Sequence, residues 1–344
     1  MSEAVFFNAL NIQSQSDYRK LSVLKNKFGC WENAWIEEKS GATEKLDPEK
    51  EWRKLETKNI RLILRDDKNY PKLLKETVFP PFGIYVVGEL PKNNNPSLAV
   101  VGTRKATMDG KSLAREFARE IGSAKISVIS GLALGVDAAA HEGCLESGGA
   151  TIAVLANGLD SVYPRQNENL AKKILADGGA LISEYPIGAP SLPYRFLERN
   201  RIVAGLSQGI LVIEAPEGSG SLVTANFALQ ENRDVFVIPG PVRHPNFAGS
   251  HRLIRNGAVL VTKPEDILEH FGLAKQPSSQ QKIFSTNPQE NALLAVLGKN
   301  SSGLSVDKIS ELTNLEPRVV NQTLTVAILR GIIKETEEGY ILNN

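Results

Sequence analysis

The stretch Ser97–Asp137, SLAVVGTRKATMDGKSLAREFAREIGSAKISVISGLALGVD, decides the fold. It holds two successive units of strand, glycine turn and helix. A short apolar strand, Leu98 to Val101, stops at Gly102-Thr103-Arg104. A second, Ile126 to Ile129, stops at Ser130-Gly131, and Gly135 follows four residues on. Glycine lets the backbone turn sharply and come close to a ligand, and the following helix aims its partly positive N-terminus at the same place. Arg104 adds a permanent cation with a forked donor face. Two such turns side by side read as an anion-binding floor, with phosphate the expected anion.

The alternation continues to about Gly272. Further strand candidates are Thr151–Leu155, Leu181–Ser183, Ile210–Ile213, Val235–Ile238 and Val259–Val261, with helical patterns such as LAREFAREIG and NENLAKKILADG between strands. Strands apolar on both faces and separated by helices predict an α/β architecture, a Rossmann-like doubly wound parallel sheet. Ligands bind such sheets beyond the carboxyl ends of the strands, where the glycine turns fall. On this reading residues 59–272 form one extended Rossmann-like domain, entered through the Pro80-Pro81 pair and a strand at Ile84–Val87.

The flanks read differently. Residues 1–58 predict an N-terminal helical domain burying Leu21, Leu24, Phe28, Trp31 and Trp35, with Gly29 as a turn. A DNA-contacting helix hairpin is disfavoured there, because the turn lacks a glycine pair. Residues 273–288 read as a polar linker. Residues 289–344 predict three helices and a two-strand hairpin, the order of a winged-helix domain. Its third helix offers Arg318, Asn321 and Gln322, but the wing carries Glu335, Glu337 and Glu338. An acidic wing opposes phosphate, so charge favours protein contact or structural support over DNA reading.

Composition bounds the class. The 344 residues allow more than one domain, and 42% hydrophobic with 23% charged residues is ordinary for a soluble globular protein. No apolar run is long enough to span a bilayer, and residues 1–18 lack a signal-peptide pattern. Cys30 and Cys144 are isolated, which supports neither a zinc site nor a disulfide framework and fits a reducing cytoplasm. A net charge of +1 confines any nucleic-acid surface to a local patch.

Several motifs must be weighed. Gly110-Lys111-Ser112 resembles the end of a P-loop, but Lys105 stands where the first glycine must be, so a triphosphate cannot be wrapped there. No G-x-G-x-x-G is present, which counts against a dinucleotide, and no cofactor is expected. Asp137 and His141 lie one helical turn apart. With no third ligand in view, a helix-stabilising Asp and a packed His are favoured over a metal pair. A third glycine turn, APEGSGSLVTANFA, places Gly218, Ser219, Gly220, Ser221 and Thr224 at another helix N-terminus, a second candidate anion cradle. Basic and aromatic residues interleave in Tyr163-Pro164-Arg165 and in PYRFLERNRI, which supplies Tyr194, Arg195, Phe196, Arg199 and Arg201. That mixture suits unpaired nucleic acid, whose phosphates take cations and whose bases lie on rings.

Together these segments resemble the DprA/Smf family of DNA-processing proteins. The resemblance rests on DKNYPKLL, PPFGIYVVGEL, VVGTRKAT, SGLALGVDAAAH, TIAVLANGLDSVYPRQNENL, SEYP, FLERNRIVAGLS, VIEAPEGSGSLVTANFA, RDVFVIPGP and GSHRLIRNGA. It implies a non-enzymatic core that binds single-stranded DNA, forms a homodimer and loads the RecA recombinase during natural transformation. By position it implies Gly102, Thr103 and Arg104 as the phosphate-gripping turn, Arg165 as a basic contact and Phe196 to Arg201 as part of the DNA pocket. Ser130, Gly131, Gly135, Ser219, Gly220 and Ser221 complete the expected contacts. Leu197 and His251 depart from the family pattern, which usually has proline and asparagine there. Two other readings compete. Rossmann-like enzymes that cleave nucleoside monophosphates use P-G-G-x-G-T-x-x-E, and here Thr224 takes the place of the glutamate, which disfavours hydrolysis. The other is an adaptor acting through the winged helix.

Overall fold

Successive residues of the strand Ser97–Val101 feed two different cores. Leu98 and Val100 point into one, Ala99 and Val101 into the other, because strand side chains alternate faces. Every residue of the strand is buried, the mark of a sheet covered on both sides. One core is closed by the helices Met108–Ser123, Val136–Glu146 and Pro264–His270. The other is closed by Pro193–Gly205, Gly220–Gln230 and Ala248–Arg255.

This computed structural model describes residues 2–39, 46–91, 95–273, 288–298, 303–329, 332–336 and 339–342. It divides into two compact units, Met1–Ala274 and Lys275–Asn344. The strands of the first unit are β1 (Arg61–Leu64), β2 (Gly83–Gly88), β3 (Ser97–Val101), β4 (Ser127–Ser130), β5 (Thr151–Leu155), β6 (Ala180–Ser183), β7 (Gly209–Val212), β8 (Asp234–Val237) and β9 (Val259–Leu260). They form one sheet in the order β1-β2-β6-β5-β4-β3-β7-β8-β9. From β6 to β9 every pairing is parallel, whereas β2 runs antiparallel to β6 and β1 antiparallel to β2. The chain moves outward from β3 through β4, β5 and β6, then returns to the other side of β3 with β7. The strand order therefore reverses beside β3, and the turns that follow β3, β4 and β7 meet at that crevice.

The wholly parallel sheet expected from the sequence is thus extended by an antiparallel pair. The sequence reading places no strand before Ile84–Val87, so β1 is an addition to it. Its four residues are too few to show a period, and it is a strand because β2 supplies its ladder.

The helices Glu3–Gln13, Tyr18–Phe28, Trp31–Lys39 and Pro48–Thr57 precede the sheet. Asp17 caps the second through the amides of Arg19 and Lys20, and Gly29 ends it at φ +74°. Leu21, Trp31 and Trp35 are buried, and Leu24 and Phe28 pack at the edge of the same cluster. That cluster also contains Leu62, Leu64, Phe82 and Tyr85, so the helices share a core with β1 and β2. Trp31 meets Phe7 and Phe82 edge-on, at 5.0 and 5.3 Å between ring centres.

The second unit has helices Pro288–Leu297, Val306–Thr313 and Pro317–Leu329, followed by the antiparallel strands β10 (Ile333–Thr336) and β11 (Gly339–Leu342). Leu293, Leu297, Ile309, Val320, Leu324 and Ile333 form its core. Arg318, Asn321 and Gln322 are exposed. Glu337 and Glu338, and nearly all of the stretch read as a linker, lie outside the described residues. No helix among the described residues is long and apolar enough to cross a membrane.

Candidate nucleic-acid interface

The turns after β3, β4 and β7 and the start of the helix Pro193–Gly205 enclose an open cleft of about 660 Å³. Of the residues expected from the sequence, Gly102, Thr103, Arg104, Gly131, Phe196, Arg199, Ser219, Gly220 and Ser221 line it. Ser130, Gly135, Arg165 and Arg201 do not. A larger groove, about 1290 Å³, runs beside β1; among its charged residues, which include Glu56, Asp67 and Lys68, Arg61 and Glu89 pair with each other at 3.4 Å.

The three helix starts at the cleft are not equivalent. At the first, Thr107 accepts from the Gly110 amide at 2.9 Å, so the N-terminus of Met108–Ser123 is already capped. At the second, the amides of Val136 and Ala138 donate to the Thr103 and Ala133 carbonyls at 3.4 and 3.2 Å, and Asp137 Oδ2 accepts from the preceding loop amides of Gly131 and Ala133, at 3.0 and 3.4 Å. The protein's own carboxylate occupies part of the floor expected to hold phosphate. At the third, Ser219 makes no capping bond, and its hydroxyl instead meets Ser221 Oγ at 2.7 Å. Leu222 donates its amide to the Ser219 carbonyl at 3.1 Å, while the amides of Gly220 and Ser221, both lining the cleft, have no intrahelical partner by geometry. Helix starts of this kind attract anions. The third turn is the open cradle.

The glycines tell the same story. A Cβ on Gly131 would lie 2.0 Å from Arg199 Nη1, and one on Gly135 would lie 2.4 Å from the Thr103 carbonyl. These two glycines let the protein pack against itself. Gly220 differs, because a Cβ there would meet only Asn200 Nδ2, at 3.7 Å. Nothing inside the fold requires its smallness.

Arg104 is exposed, and its guanidinium carbon lies 4.8 Å from the centre of the Phe196 ring. Tyr163, 46% exposed, adds a second ring 5.5 Å from Phe196, tilted at 56°. Cation and rings thus share one wall. Lys105, Tyr163, Asn200 and Glu217 also line the cleft and were not among the expected contacts. The sequence signal for Tyr163 was its place in the basic and aromatic stretch, whereas Lys105 had been read only as a defect in a P-loop.

The arginines of Pro193–Gly205 are largely engaged elsewhere. Arg199 is 4% exposed at the base of the cleft, where its Nη1 donates to the carbonyls of Gly131 and Val154. Burial pulls its guanidinium down and pushes the Asp137 carboxyl up, while each charge favours the other's ionised form. Arg201 lies two residues on, about 200° around the helix, and so faces away. It pairs with Glu184 and donates to the Phe79 carbonyl at 2.6 Å. Arg165 opens a short turn, Arg165–Asn167, two residues after Tyr163 and outside the lining. Ser130 is fully buried, donating to the Val100 carbonyl at 2.7 Å.

His141 is also fully buried. Thr151 Oγ1 donates to the Val128 carbonyl at 2.8 Å, so the 2.7 Å contact to His141 Nδ1 makes that nitrogen the donor. Burial, then Arg199, pushes the imidazole down to about 3. No cluster of metal-ligating side chains occurs among the described residues.

Residues 61–272 match the sequence profile of the DNA recombination-mediator protein A family. The chain belongs to that family. Protein Smf of Escherichia coli K12 is 41% identical over 296 residues, covering 83% of this chain and 78% of its own. The DNA processing protein DprA of Streptococcus pneumoniae R6 is 40% identical over 205 residues, covering 60% of this chain and 72% of its own. The X-ray structure of S. pneumoniae DprA superposes with a TM-score of 0.62 at 32% identity, over 78% of this chain and 93% of that one. DNA processing protein A from Helicobacter pylori, whose structure addresses its single-stranded DNA binding mode, superposes at 0.56 and 29% identity, over 62% of this chain and 95% of that one. The family match begins at the first residue of β1 and so takes in the whole sheet and the cleft.

Proposed function

We propose that this family member binds single-stranded DNA in the cleft beside β3, holding backbone phosphates and stacking bases without altering them. The observation that carries the reading is the convergence of an uncapped helix start at Gly220, the exposed cations Arg104 and Lys105, and the ring pair Phe196 and Tyr163 on one open cleft. The likeness to the H. pylori protein supports the choice of an unpaired strand. Phosphate contact does not depend on base identity, so binding is sequence-tolerant and falls with salt.

Protection of the strand, loading of RecA, homodimer formation and a cytoplasmic location complete the reading and rest on the family resemblance. Residues 289–344 are read as a winged helix, supported by three helices followed by a hairpin. A non-enzymatic role is supported by Thr224, which stands where a nucleotide-cleaving enzyme needs glutamate. Its hydroxyl donates to the Gly220 carbonyl at 3.2 Å.

A salt titration with fluorescent oligo-dT tests the reading. The logarithm of the binding constant should fall by about 0.7 per phosphate neutralised for each log unit of salt. Absence of binding at low salt, or release of free base from a nucleoside monophosphate, would overturn it.

A further inference from the structure

The cleft that takes phosphate in this reading also carries an exposed carboxylate. Glu217 lines it, and Glu217 Oε2 lies 2.8 Å from Arg252 Nη1. The ion pair is not what holds Arg252 there. The amides of Gly249 and Ser250 donate to the Ala215 carbonyl at 2.9 and 3.2 Å, and Ser250 Oγ accepts from the Ala215 amide at 3.2 Å. A Cβ on Gly249 would sit 2.7 Å from the Ala215 oxygen, so the helix backbone lies directly against the turn. Arg252 follows Gly249 by three residues, one turn along the same helix face. If the pair breaks, the main chain of Arg252 stays beside the cradle and its guanidinium stays within reach of it. Both side chains are about half exposed, 45% and 55%, so either can rotate at little cost to the fold.

We infer that Arg252 is a further phosphate contact, masked by Glu217, whose carboxylate stands in for a strand phosphate until one displaces it. This rests on the single-stranded DNA reading and deepens it. A carboxylate and a phosphodiester carry the same charge, and both accept from the guanidinium fork, so they compete for Arg252. Once displaced, Glu217 remains at the rim as a like charge that weakens binding. The pair therefore holds the affinity below what the cations of the cleft would give.

Fluorescence anisotropy with oligo-dT at several salt concentrations tests this on the full chain and on Glu217→Gln, Arg252→Ala and the double variant. Glu217→Gln should tighten binding about fivefold, the Coulomb scale of one like charge at contact in water. It should also steepen the salt slope by about 0.7, because no freed carboxylate is then left to take up a cation in place of the one the phosphate releases. In the double variant affinity and slope should both return to about those of the wild type, because the carboxylate and the cation it opposes are removed together. A gain that persists there, a gain without the steeper slope, or no change in Glu217→Gln would each overturn the inference while the wild type still bound DNA. Failure of the wild type to bind at low salt would instead overturn the reading beneath it.

Discussion

Arg104 and Arg199 are both arginines lining the cleft, and their surroundings give them opposite tasks. Arg104 is exposed and stacked on Phe196, ready for an anion. Arg199 is buried and bound to main-chain carbonyls, so it holds the turns together. Arg104→Ala should weaken oligo-dT binding about tenfold, with Arg104→Lys recovering only part because a lysine lacks the planar fork. Gly131→Ala should instead cost about 3 kcal/mol of stability, because its Cβ would displace a buried guanidinium. Urea unfolding followed by tryptophan fluorescence reads this, since Trp31, Trp35 and Trp52 all lie in the first unit. His141 gives a pH signature. The unfolded imidazole protonates near 6.5 and the folded one near 3, so the unfolded state binds more protons between those values. Stability is full above the unfolded value and falls as pH drops through the window, by about 2 kcal/mol from pH 7 to pH 5. His141→Gln should flatten that dependence, and an unchanged pH difference in the urea midpoint would contradict this account.

At the scale of elements, the three helix starts look alike in sequence, and only one is left open. Thr107 caps the first with its side chain and the Thr103 and Ala133 carbonyls take the Val136 and Ala138 amides at the second, whereas Ser219 turns aside to Ser221. The contrast predicts opposite signs for one substitution. Gly220→Ala has room for its methyl and lies at the first helical position, so it should raise stability by about 0.4–1 kcal/mol. The same methyl stands where phosphate must approach the amides, so oligo-dT affinity should drop several-fold. Thermal melting and anisotropy on the same protein check the pair of effects. A variant that binds as tightly as the wild type would remove the third turn from the interface.

Across the whole molecule, the cleft is built entirely within Met1–Ala274, while Lys275–Asn344 has its own core. A chain ending at Ala274 should therefore unfold cooperatively and keep oligo-dT affinity within about threefold, as expected for changes that touch no shared partner. A large loss would place part of the interface in the second unit. The truncation also tests the adaptor reading, which requires partner binding to disappear while DNA binding persists.

The parallel sheet, the two cores and the glycine turns at the strand ends were legible in the chain alone, because apolar runs and turn residues are local signals that repeat along it. The family was legible for the same reason. β1 was not, since four residues become a strand only when a neighbour supplies the hydrogen bonds. Nor could the sequence tell Arg199 from Arg104, or Gly131 from Gly220. Which charge is buried, which amide is taken and which glycine leaves space depend on contacts between residues far apart in the chain, and those exist only once the turns after β3, β4 and β7 have been brought together.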